Sequence, residues 1–169
     1  MILTSQSTPF VSEKMALFTD VVRAGEEKSF VTLPFDQRLF LINCLVEYLY
    51  DVDIVHHVLA RDFDRIGCVS GALRALLLKR SGDASLILAG LFPERARHLN
   101  VSSTYFRSMG QIFYSSLAAQ MEVGVEFRRG NFYNEVARAF PLLARVLYSA
   151  RGDVQKEWHN FQRFHRGLD

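Results

Sequence analysis

Phe35-Asp36-Gln37-Arg38-Leu39-Phe40-Leu41-Ile42-Asn43-Cys44-Leu45-Val46-Glu47-Tyr48-Leu49-Tyr50 is the stretch whose reading decides the fold. Thr32-Leu33-Pro34 leads into it, and proline suits a first helical turn because its missing N–H would be unpaired there anyway. Beyond that turn the polar positions Asn43, Glu47 and Asp51 step by four, so on a helix they form one narrow stripe. Leu39, Phe40, Leu41, Ile42, Leu45, Val46 and Leu49 occupy the rest. A helix with so thin a polar stripe is central, buried around most of its circumference.

Outward from this helix the same 3.6-residue periodicity recurs. Residues 1–11 carry Ser, Thr, Gln and Pro without periodicity and read as a loose leader to a single domain over 12–169. Ser12 suits an N-cap for a helix with Met15, Leu17, Phe18, Val21 and Val22 inward; Gly25 and Glu26-Glu27-Lys28 read as its end. Downstream, Asp53 to Asp64 is a short helix and Gly71 to Arg80 another. Ser81-Gly82-Asp83 reads as a turn, with Asp83 capping a short apolar helix from Ala84 to Phe92 that Gly90 breaks. Pro93-Glu94 restarts the chain, and Thr104 to Glu122 is expected to be the longest helix, with Phe106, Met109, Phe113, Leu117 and Met121 inward. Gly110 inside it marks a place where another backbone comes close. Asn131 suits the cap of a helix that Pro141 should kink or split. Gly152-Asp153 then reads as the start of a final amphipathic helix, 153–166. Strand patterning is absent, so the fold class is all-α, a single-domain bundle of about seven helices.

Composition supports a packed core and excludes several classes. Of 169 residues, 49% are apolar and 22% charged, with fourteen Phe, six Tyr and one Trp, which excludes a disordered chain. A net charge of +2 makes nucleic acid an unlikely partner, although sixteen of the twenty basic residues are Arg. The tail from Phe127 holds eight basic residues against four acidic ones, too small an excess for a nucleic-acid-binding arm. Cys44 and Cys68 sit in apolar contexts without CxxC spacing, so they read as reduced, buried thiols. Apolar runs are broken by Asn43, Glu47, Arg74 and Pro93, short of the ~18 residues of a membrane span, and no signal peptide is legible. A reducing cytoplasm fits this chain.

From about Leu39 to Tyr148 the chain resembles a family of uncharacterised bacterial helical proteins. The resemblance rests on Val46-Glu47-Tyr48-Leu49, Gly82-Asp83, Leu88-Ala89-Gly90-Leu91-Phe92-Pro93-Glu94, Tyr105-Phe106, Met109-Gly110 and Tyr114, in that order. Phe106 stands where the pattern has a second Tyr. The resemblance implies a bacterial source and an all-helical domain, and it brings no activity or catalytic residue.

Asp53, His56 and His57 form the best metal candidate, because steps of three and four put all three on one helix face. Asp53-x-x-His56 imitates half of the Glu-x-x-His pair of di-metal bundles, while zinc would need further convergent ligands. Arg95, Arg97, His98 and Arg107 are a basic patch that could hold an anion or a partner's acidic face. Trp158, Phe161 and Phe164 make an aromatic stripe suited to a dimer or partner interface. No serine lies in a GxSxG elbow, both phosphate-binding glycine loops are absent, and Cys44 lies mid-helix where a thiol is inert, so no cofactor is expected. The leading expectation is a non-enzymatic interaction, adaptor or regulatory domain, a homodimer or another protein's partner. The alternatives are a metal-dependent or small-molecule-binding helical enzyme using Asp53, His56 and His57, and a binder of an apolar ligand.

Overall fold

A computed structural model describes residues 8–48, 59–121 and 127–166. Seven helices and no strand occur among them: α1 (Thr8–Ser29), α2 (Phe35–Tyr48), α3 (Leu59–Gly67), α4 (Gly71–Leu91), α5 (Arg95–His98), α6 (Tyr105–Met121) and α7 (Phe127–Arg166). The all-α expectation holds, but α2 is not the central helix: it lies at the side of the packing made by α4, α6 and α7, and its Phe35 and Leu39 are exposed. Phe40, Leu41, Ile42, Cys44, Leu45 and Tyr48 are all buried, while Asn43 and Glu47 of the polar stripe face solvent. Asp51, the third member of that stripe, lies outside the described residues. None of the described helices is long and apolar enough to cross a membrane.

The helices α4, α6 and α7 pack most extensively on one another, with α1 laid along α7 and α2 packed chiefly on α1. Residue pairings set the directions. Gly25 lies against Val146 and Ala150 while Lys28 pairs with Asp153 at 2.6 Å, so α1 and α7 run parallel. Gly82 meets Tyr114 while the Gly71 carbonyl accepts from Gln120, so α4 and α6 are antiparallel.

Each close crossing is built on a glycine without a side chain to hold the helices apart. A Cβ on Gly25 would sit 2.6 Å from the Val146 carbonyl oxygen. One on Gly90 would strike Leu147, and one on Gly110 would strike the Phe140 ring. At Gly110 the close neighbour is therefore the Phe140 side chain of α7, in place of the backbone expected there.

Several expected boundaries differ. Gly25 and the charges after it do not end α1, which starts at Thr8 and runs to Ser29 because Gly25 faces α7 instead of solvent. Gly90 does not break a helix; it lies inside α4, against α7. The last amphipathic segment is not separate either: 153–166 is the continuation of α7, at 40 residues the longest helix in place of α6. Its part beyond Asp153, where it pairs with the last turn of α1, spans about 20 Å at 1.5 Å per residue.

Pro141 neither splits α7 nor ends it. Proline lacks the N–H that would bond the carbonyl four residues back, at Ala137. That carbonyl accepts instead from the Gln111 side chain of α6, Nε2 to O 3.2 Å. The neighbouring helix supplies the donor that the sequence of α7 withholds.

The turn between α1 and α2 is fixed by a second polar device. Glu26, 8% exposed, accepts from the Leu33 N–H at 2.7 Å and from Arg38 Nε at 2.7 Å and a terminal nitrogen at 3.0 Å. The Phe30 N–H bonds the Glu27 carbonyl and the Val31 N–H the Glu26 carbonyl, the paired closure of a Schellman turn. Phe30 occupies its left-handed position at φ 56°, where glycine is the usual residue.

Candidate functional site

Asp83 was expected in a turn and is instead in the middle of α4, at 0% exposure. A carboxylate so placed is stable only with partners that replace water. Four side chains from three helices do so. Tyr114 Oη on α6 donates to Oδ1 at 2.7 Å, and Tyr48 Oη on α2 donates to Oδ2 at 3.0 Å. Lys79, one turn earlier on α4, reaches Oδ2 at 2.7 Å, and the Cys44 thiol of α2 lies 3.7 Å from Oδ1. Gly82 makes the arrangement possible, because a Cβ there would lie 2.7 Å from the Tyr114 ring. Ser81 and Ser85 beside them are also buried; Ser81 Oγ bonds Asp62 at 3.1 Å and Ser85 Oγ bonds the Ser81 carbonyl at 2.7 Å.

Aromatic rings enclose the cluster. Tyr133 of α7 stacks on Tyr114 with centroids 6.1 Å apart and planes 13° from parallel. Phe40 meets Tyr114 edge-on at 5.8 Å and Phe132 at 5.6 Å.

The electrostatics follow from burial. Burial pushes the Asp83 carboxyl up, against the pull of Lys79 and of the donated hydrogen bonds. Burial also works against the charge on Lys79, yet the Asp83 charge and hydrogen bond outweigh it there and the ammonium is raised. The two shifts point opposite ways on whether the pair is ionic. The geometry decides for an ionic pair, since four donors converge on the carboxylate and Lys79 keeps contact with solvent at 33% exposure. Burial, then the charge of Asp83, raise Tyr48, Tyr114 and the Cys44 thiol, so all three remain neutral donors. Cys44 is thus no nucleophile, and Asp83, saturated and sealed, has no lone pair left for a substrate proton.

Lys79 connects this interior to the surface. It also touches Glu47 at 3.3 Å, and it lines an open pocket of about 490 Å³ between α4, α6 and α7. Ala75, Leu76, Leu117, Met121 and Phe132 form the apolar walls, with Tyr133 and the cations Lys79, Arg128 and Arg129 among them. Among the described residues, those lining it include no acid.

Asp53, His56 and His57 lie outside the described residues; among those described, no group of three His, Cys, Asp or Glu is arranged for a metal. Arg97, His98 and Arg107 are exposed, whereas Arg95 is half-buried with an Nε that has no hydrogen-bond partner among the described residues. The α5 helix that carries three of the four has only four residues, too short for a helix-terminus anion site. Trp158, Phe161 and Phe164 lie on the helical backbone of α7, and their side chains are outside the described residues. Cys68 is exposed instead of buried, and Cys44 is buried as expected; neither forms a disulfide.

Reading the sequence alone missed Asp83, Lys79, Tyr48 and Tyr114 as one unit. The local trace was Lys79 four residues before Asp83, the spacing of a helical ion pair. Tyr48, Gly82-Asp83 and Tyr114, far apart in sequence, meet at one point of the core. No family model matches the chain, and no curated protein or solved structure was found to be similar to it.

Proposed function

We propose that this is a non-enzymatic helical binding domain whose pocket between α4, α6 and α7 takes a small amphipathic anion. One observation carries the reading: a pocket of about 490 Å³ with apolar walls and three cationic side chains, Lys79, Arg128 and Arg129, is within the size range of small-molecule sites. An alkyl or aryl body would lie on Leu76, Leu117, Met121 and Phe132, and a carboxylate or sulfonate head would face the cations. The Asp83 cluster behind the pocket holds Lys79 in place and leaves no reactive group exposed. Two unbonded thiols and the bacterial family resemblance support a reducing bacterial cytoplasm as its setting.

Calorimetric titration with decanoate and with decanol tests the proposal. Decanoate should bind saturably and at least about tenfold tighter than the alcohol, the margin of one charged contact. Arg128→Ala should reduce that margin, and Ala75→Trp should abolish binding by filling the pocket. Equal affinity for acid and alcohol, or no saturable binding of either, would exclude the anion site.

A further inference from the structure

The turn between α1 and α2 has no part in the pocket, yet it carries the most exposed large apolar side chain described. Phe30 is 93% exposed and Phe35 75%, with Leu39 one turn beyond Phe35 on the same helix. Phe30 stands on a rigid base: its left-handed backbone is closed by two turn hydrogen bonds, and Glu26 and Arg38 lock the segment that follows. A ring held out by a fixed backbone loses little freedom on being buried, which suits a binding anchor.

Beside the ring is a groove of about 430 Å³ lined by Arg23, Glu26, Glu27, Val31, Thr32 and Arg38. Phe30 borders this groove and does not fill it, since the side chain is almost wholly in solvent. The groove offers a guanidinium face on Arg38, held flat by its two bonds to Glu26, and aromatic rings seat well on such a face. Ring and groove are adjacent on one surface, so a two-fold axis between two copies would place each Phe30 in the other's groove. That is the self-complementary patch an isologous dimer requires. The charges fit the same symmetry. Arg23 and Glu27 are both exposed and one turn apart on α1, so two antiparallel copies of α1 would pair Arg23 of each with Glu27 of the other.

We infer that the Phe30 turn is a self-association surface, and that its occupant is a second copy of this chain. A bilayer is disfavoured as occupant because three acidic residues (Glu26, Glu27, Asp36) balance three basic ones (Arg23, Lys28, Arg38) around the ring, with no basic excess for lipid headgroups. Two Phe side chains from each copy would bury roughly 600–1,000 Å² in all, at the low end of specific interfaces, so the dimer is weak and concentration-dependent.

Sedimentation velocity of the full chain from about 5 to 500 µM covers that weak range and tests the inference. The wild type should shift from monomer to dimer across it. Phe30→Asn removes the ring and suits the left-handed backbone, so it should weaken the dimer at least tenfold while the melting temperature stays level or rises. A ring needed for the fold would instead lower the melting temperature. Arg23→Glu and Glu27→Arg should each weaken the dimer, and the double variant should restore it. A wild type that stays monomeric to the top of the range overturns the proposal. So does a dimer that Phe30→Asn leaves unchanged, or a monomer that sediments with neutral vesicles through Phe30.

Discussion

Gln111 donates from α6 to the carbonyl oxygen of Ala137 on α7 at 3.2 Å, the carbonyl that Pro141 leaves without a helical donor. The two residues couple a helix defect to a helix contact, and that coupling is measurable. Gln111→Leu should cost about 1–2 kcal/mol, because a part-buried carbonyl is left unpaired. In a Pro141→Ala background the helix makes its own bond and the same change should cost well under half as much. Urea denaturation of the four proteins gives the coupling energy; additive costs would show that Gln111 does not serve the proline gap.

The Asp83 cluster should respond unequally to loss of its acceptor and of one donor. Tyr114→Phe removes a hydrogen bond to a charged group and should cost about 1.5–3 kcal/mol with the fold retained. Asp83→Ala orphans two hydroxyls and leaves Lys79 without its inner partner, so about 3–5 kcal/mol is expected. Thermal unfolding followed by circular dichroism ranks the two; a harmless Asp83→Ala would mean that water replaces the carboxylate.

Glu26 gives the pH dependence a sign. Burial alone pushes its carboxyl up, but the bonds from Arg38 and the Leu33 N–H outweigh burial and leave it lowered. A carboxyl lowered on folding stabilises above its unfolded value of about 4.3 and loses that contribution as the pH falls through its folded value. Glu26→Gln should therefore destabilise at pH 7, and the gap to wild type should close on acidification below about pH 4. Stability curves that stay parallel from pH 7 to pH 2 would contradict the assignment.

Two helical glycines should answer alanine with opposite signs. At Gly110 the new Cβ strikes the Phe140 ring, so about 1–3 kcal/mol is lost to overpacking. At Gly152 in α7 nothing lies within 4 Å, and alanine should add about 0.5–1 kcal/mol through helix propensity. Opposite shifts in the midpoint of guanidinium unfolding, the larger one at Gly110, are the expected readout, and a stabilising Gly110→Ala would refute the close crossing.

Helix content, the buried face of α2 and the close crossing at Gly110 were legible because apolar periodicity and a lone mid-helix glycine are local signals. The course of α4 was not. Ser81-Gly82-Asp83 has the composition of a turn, and what overrides it comes from Tyr114 and Tyr48, 31 and 35 residues away in sequence. No local pattern encodes those partners. That Pro141 leaves α7 unsplit was hidden for the same reason, since the donor Gln111 lies on another helix. The pocket required three helices to be assembled before its cations could be seen on one surface, whereas the exposed Phe30 followed from no pattern at all.

The position of Tyr114 also bears on the order in which the protein can take shape as it is made. A ribosome delivers α4 with Lys79, Cys44 and Tyr48 already in the chain, but the Tyr114 donor to Asp83 Oδ1 follows 31 residues later. Until then the Gly82 face of α4 is bare, and Gly90 waits longer still for Leu147. Closure of the core falls to the last third of the chain, so a product released early would be expected to stay open and be cleared by proteases.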